Sequence, residues 1–146
     1  MATSQVDYIS VFQNVPVPVL LLTTDLTVMD VNRAHLRLTG RSRDDLLGVN
    51  VLDAFPDNPA EPGIAGTSSL RDSVLRAVET GRPDVMGVQR YDVEATSKPG
   101  TFEERYWCPV NTPVRGPGGE VEYVIHVVEE VSDLIRRFVE AEAAGS

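Results

Sequence analysis

A chain of 146 residues and 16.0 kDa, 42% of them hydrophobic, holds one domain with a single core, which excludes two full domains. Thirteen Lys and Arg against 22 Asp and Glu leave a formal net charge of −9, which repels phosphate backbones and anionic lipid and argues against nucleic acid or a membrane surface as partner. The longest apolar run, Val15 to Leu22, is broken by Pro16 and Pro18 and falls far short of the roughly 20 residues of a membrane span. The lone cysteine, Cys108, forms neither an internal disulfide nor a thiolate metal cluster, and with no basic-then-apolar leader the expected compartment is the cytoplasm.

In chain order, Val6, Ile9 and Phe12 fall at steps of three within Gln5–Asn14 and predict a short amphipathic helix. Pro16 and Pro18 forbid its continuation, and the apolar run from Val17 to Thr24 predicts a buried strand, paired through an Asp25-Leu26 turn with a second strand, Thr27–Val31. Asn32 then caps a helix that Gly40 ends, Ser42 caps another over Arg43–Leu47, and Val51–Phe55 adds one more turn. The Pro- and Gly-rich run from Pro56 to Gly66 predicts a mobile loop, followed by a helix capped by Ser68 or Ser69 and running to Thr80, with Leu70, Val74, Leu75 and Val78 on one face. Three strands follow, Val85–Val93, Phe102–Val114 and Val121–Glu130, joined by turns at Thr96–Gly100 and Gly116–Gly119. Ser132–Ala144 closes the chain as a helix in which Val131, Leu134, Phe138 and Ala141 step by three, four and three, the spacing of a coiled-coil seam too short to be stable alone. The order predicts an α+β domain with a five-stranded antiparallel sheet, short helices on one face and a flanking helix at each end.

Several pieces of this order resemble the PAS sensor family: Val31-Asn32-Arg33-Ala34 opening a helix after the first hairpin, Leu38-Thr39-Gly40 ending it, Leu46-Leu47-Gly48, Gly119-Glu120-Val121, and Glu129-Glu130-Val131-Ser132-Asp133. The last piece stands where PAS domains pass from the final strand into a signalling helix, with Glu130 for the usual Asp and Ser132 for the usual Thr. Phe102 to Val114 is similar to bacterial PAS modules found ahead of histidine kinases and other output domains. The resemblance implies a PAS-like fold, with residues 1–14 as an N-terminal capping helix, 15–131 as the sensor domain and 132–146 as the start of a signalling helix through the junction Glu130, Val131 and Ser132.

Aligned on that family, counting by twos sends Val124, His126 and Val128 of the last strand, and Trp107, Pro109 and Asn111 of the one before it, to the concave side of the sheet. Trp107, Asn111, His126 and Val124 are thus candidate ligand contacts. In the strand Val85–Val93 the parity is open, and Arg90 competes with Gln89 as the inward polar residue. Tyr106, Val110, Tyr123, Ile125 and Val127 then form an apolar outer face, whose expected covers are Val6, Ile9 and Phe12 and a second copy of the chain. A haem held by a histidine on the long helix is disfavoured, because Ser69–Thr80 has none, and covalent flavin chemistry likewise, because Cys108 lies on a strand.

No nucleophile-and-base pair, metal-ligand cluster or phosphate loop is legible, so no catalytic residue and no metal ligand is assigned. The reading is a non-catalytic, homodimeric sensory or interaction module of bacterial signal transduction, in which a small ligand or partner acts through the last helix on an output domain such as a histidine kinase or phosphatase. The alternatives are a ligand-free dimerisation module and, in another class, a small α+β enzyme using His126.

Overall fold

The computed structural model describes residues 5–63, 66–95 and 97–145. Ile64 and Ala65 of the expected loop and Thr96 of the expected turn lie outside the described residues. The elements run α1 (Tyr8–Asn14), β1 (Val19–Thr23), β2 (Val28–Val31), α2 (Arg33–Thr39), α3 (Arg43–Leu46), α4 (Val51–Ala54), α5 (Gly66–Thr80), β3 (Asp84–Val85), β4 (Gln89–Arg90), β5 (Val93–Glu94), β6 (Phe102–Glu103), β7 (Tyr106–Arg115), β8 (Val121–Glu130) and α6 (Ser132–Gly145).

The fold is the expected α+β type. Its antiparallel sheet has the order β2-β1-β8-β7-β3, and β4 pairs beside β3 along the same edge of β7. The long hairpin of β7 and β8 is its centre, with Asn111 opposite His126 and Trp107 opposite Glu130. Two expected strands are broken. Val85–Val93 is three short pieces, because Gly87 turns the chain at a positive φ of 72° that an L side chain seldom adopts, so β3 and β4 each meet β7 for two residues. The third piece, β5, leaves the main sheet to pair with β6, which splits the expected Phe102–Val114 strand.

Asn32 locks the first hairpin to α2. Its Oδ1 accepts from the N–H groups of His35 (3.1 Å) and Val19 (2.9 Å), and its Nδ2 donates to the carbonyls of Val17 (2.9 Å) and Val15 (3.2 Å). One fully buried side chain therefore caps the helix and fixes the entry to β1. The core beneath is built from Leu20, Leu22, Val28, Val31, Leu46, Val51, Val74 and Val124, and a smaller cluster joins Val93, Trp107 and Val128.

The helix after the loop begins at Gly66, ahead of the expected cap at Ser68 or Ser69, and its first turn is held from the loop: the Asp57 carboxylate accepts from Thr67 N and Thr67 Oγ1. With Asn58 Nδ2 donating to Asp92, the segment expected to be mobile is tied at two points. Leu70, Val74 and Val78 of α5 face the core as expected, while Leu75 is exposed. The cover expected from the N-terminus is not made within one chain. Helix α1 lies beside α2, with Gln13 Nε2 donating to the Val31 carbonyl on the far edge of the sheet, and Val6 and Ile9 are exposed.

Candidate functional site

Between the sheet and the helices lies a cavity of about 90 Å³. Its floor is Leu20 of β1, Trp107 and Pro109 of β7, and His126 and Val128 of β8, and its roof is His35 and Thr39 of α2, Val51 and Phe55 around α4, and Gly66 and Leu70 of α5. Met86, Gln89, Tyr91 and Val93 close the side. Gly66 is required there: a Cβ on it would come within 2.0 Å of the Tyr91 ring. Among the described residues no Asp, Glu, Lys or Arg lines the cavity, which makes it an apolar space with a few polar atoms.

The inward residues follow from the period of two. Along β7 and β8, Trp107, Pro109, Asn111, Val124, His126 and Val128 are buried, and Tyr106, Val110, Tyr123, Ile125 and Val127 are half-buried on the other face. Trp107 is anchored by its indole Nε1, which donates to the Tyr91 carbonyl at 2.8 Å. Val124 belongs to the main core and does not line the cavity. The edge strand resolves the open parity in favour of Gln89, which lines the cavity; Arg90 does not, and is engaged with Asp92 (3.0 Å), Glu104 (3.6 Å) and Glu61 (3.8 Å). Cys108 sits on the opposite face of β7 from Trp107 and Pro109, with no access to the cavity, so a thiol adduct to a ligand there has no geometry.

Two histidines that are 91 positions apart in sequence meet this cavity. Burial pushes His126 down to about 4, and burial together with the neighbouring His126 pushes His35 down to about 3, so both imidazoles are neutral at pH 7. His35 stands edge-on to Phe55, with ring centroids 5.7 Å apart, and its buried Nδ1 has no partner among the described residues. His126 Nδ1 is 2.7 Å from Asn111 Oδ1. Asn111 Nδ2 donates to Ser73 Oγ at 2.8 Å, and Ser73 Oγ donates to Asp84 Oδ2 at 2.5 Å. The Arg76 guanidinium takes Asp84 in a two-pronged grip at 3.1 and 3.2 Å and, with Ser73, holds its carboxyl below the usual range.

The junction to α6 is one residue from the cavity. Tyr106, adjacent to Trp107, donates its N–H to Ser132 Oγ (2.9 Å) and accepts from Val131 N at its carbonyl (2.8 Å). Ser132 is buried, and Glu130 is paired with Arg105 at 3.2 Å. Beyond it Leu134, Phe138 and Val139 of α6 are exposed. The residues missed from sequence, His35, Phe55, Met86 and Tyr91 among the lining and Ser73 behind it, come from separate elements. Only His35 left a signal, three residues after its capping Asn32 and on the face it shares with Leu38 and Thr39.

The sequence model of the PAS fold matches residues 12–136. The chain belongs to the PAS family. Solved structures with the same fold include the PAS domain of a Colwellia psychrerythraea protein, 15% identical, with a TM-score of 0.66 over 86% of this chain and 95% of that one. An RNA-binding light-oxygen-voltage receptor is 19% identical with a TM-score of 0.68, over 94% of this chain and 35% of the receptor. A sensory box sensor histidine kinase from Vibrio cholerae is 15% identical with a TM-score of 0.57, over 85% and 89% of the two chains. No curated protein matches the sequence. This PAS domain is thus of a kind found as a sensory module in signalling proteins, and none of its described helices is long and apolar enough to cross a membrane.

Proposed function

We propose that this PAS domain is a non-catalytic cytoplasmic sensor that takes a small molecule into the cavity and passes its presence through β7 to α6 and an output domain such as a histidine kinase. The observation that carries the reading is the adjacency of Trp107 and Tyr106: one lines the cavity, and the other holds both junction residues, Val131 and Ser132, by its backbone. Occupancy that shifts the start of β7 therefore acts directly on the first turn of α6, provided the ligand binds the two arrangements with different affinity. The size of the cavity speaks for a compact ligand. At about 90 Å³ it is smaller than the roughly 150 Å³ that admits benzene, which favours a few-atom ligand over the fused rings of a flavin or haem.

In this reading residues 15–131 are the sensor and 132–146 the start of the signalling helix. The exposed Leu134 and Phe138, the half-buried outer face of β7 and β8, and exposed Val6 and Ile9 support a homodimer, since apolar surface left on one chain is covered by a second. Native mass spectrometry of the protein as purified tests both parts by reading ligand mass and dimer mass together. Emission of Trp107, the single tryptophan, titrated with fractionated bacterial metabolites provides the functional readout. Unaltered emission across the fractions, with a ligand-free mass, favours instead a domain that serves only to dimerise.

A further inference from the structure

The chain of side chains behind His126 has a direction. Asp84 is anionic under its Arg76 clamp and only accepts, so the single Ser73 hydroxyl proton is committed to it. Ser73 Oγ must then accept from Asn111, which turns the amide so that Nδ2 faces Ser73 and Oδ1 faces His126. Oδ1 only accepts, so His126 Nδ1 carries the ring proton, and in a neutral imidazole Nε2 is left as a lone pair. That nitrogen has no partner among the described residues, on a ring that lines the cavity. A carboxylate near the surface thus sets, through three hydrogen bonds, which kind of group the cavity presents.

We propose that the cavity takes an uncharged molecule of about four non-hydrogen atoms that presents an N–H or O–H to His126 Nε2, with the acceptor character of that nitrogen imposed by Asp84 through Ser73 and Asn111. The charge limit follows from a lining without a formal charge among the described residues: a buried ammonium there meets no carboxylate in the lining, and the nearby Arg41 guanidinium, 5.4 Å from the centre of the Phe55 ring, stands outside the lining. The size limit follows from the volume, which scaled against the benzene cavity holds roughly four non-hydrogen atoms. The ligand class rests on the cavity being the sensory site; the direction of the relay does not.

The test uses propan-2-ol and acetone, four-atom molecules of nearly the same shape of which only propan-2-ol has an O–H. Long-range proton–nitrogen NMR of the whole chain reads the tautomer of its two histidines, told apart with His126→Gln, and chemical shifts of the Trp107 indole read binding. His126 is expected as the Nδ1–H tautomer at pH 7, with propan-2-ol bound about ten-fold more tightly than acetone and acetate not bound. In Asp84→Asn, where the terminal group both donates and accepts, the tautomers mix and the propan-2-ol preference falls several-fold. An Nε2–H or doubly protonated His126 in the native chain overturns the relay, as does an Asp84→Asn variant with the native tautomer and preference. Equal binding of acetone overturns the donor requirement. A native tautomer with neither molecule bound overturns the ligand class and the sensory reading of the cavity while the relay stands. The native chain alone gives the first and last two of these results, so the proposal is decided even if the variant does not fold.

Discussion

Lowering the pH from 7.5 to 5 is expected to remove about 4 kcal/mol of stability, because of two buried rings. In the unfolded chain both histidines protonate near pH 6.5, whereas in the folded PAS domain His126 waits until about 4 and His35 until about 3. The unfolded state therefore holds more protons throughout this interval, and stability present above pH 6.5 is lost as the pH falls toward the folded values. At pH 5 each ring accounts for about 2 kcal/mol, and close to two protons are taken up on unfolding. Asp84, held low by Arg76 and Ser73, and Asp92, held low by Arg90 in spite of its burial, contribute stability that is lost only below their ordinary value of 3.8. Urea unfolding at the two pH values is the assay, with an expected midpoint drop of about 2 M for a slope of about 2 kcal/mol per M. Since these are the only two histidines, His126→Gln should halve the pH dependence. A midpoint shift under about 0.5 M, or a variant with the native slope, refutes the argument that both rings are buried and neutral.

Asn32→Ala leaves the N–H groups of Val19 and His35 and two carbonyls without their partner, and about 3 kcal/mol of stability should be lost, read as a fall of roughly 10 °C in Tm. Ser132→Ala strips Tyr106 N of its acceptor, and hydrogen exchange across Tyr106 and the first turn of α6 should accelerate with a global loss of only about 1 to 2 kcal/mol. Leu134→Glu with Phe138→Glu, both at exposed positions, should leave Tm within about 2 °C and shift light-scattering mass from two chains to one.

What the sequence made legible was what local chemistry decides. Asn32, Gly40 and Ser42 mark helix ends by capping, and the period of two along Trp107–Asn111 and Val124–Val128 separates buried from half-buried residues without knowledge of neighbours. The edge was less legible, because Gln89 and Arg90 pair with β7 for two residues only and Gly87 resets the alternation just before them. His35 could not be placed beside His126 from sequence, since their meeting depends on how α2 lies across the sheet. The start of α5 was misread for a related reason: its first-turn partner, Asp57, is ten residues away in the preceding loop. The outer face was visible as apolar, but that α1 would dock by β2 rather than on β7 and β8 is decided by one hydrogen bond from Gln13 and by packing on α2.

The central claim is that cavity occupancy reaches α6 through Tyr106. Hydrogen exchange of the Val131 and Ile135 amides, bonded to Tyr106 O and Val131 O, is measured with and without propan-2-ol at a concentration that shifts the Trp107 indole resonance. A several-fold change in exchange is expected at both amides, with none at the Leu47 amide of the α3 turn. Unchanged exchange at Val131 and Ile135 with the cavity filled would contradict it.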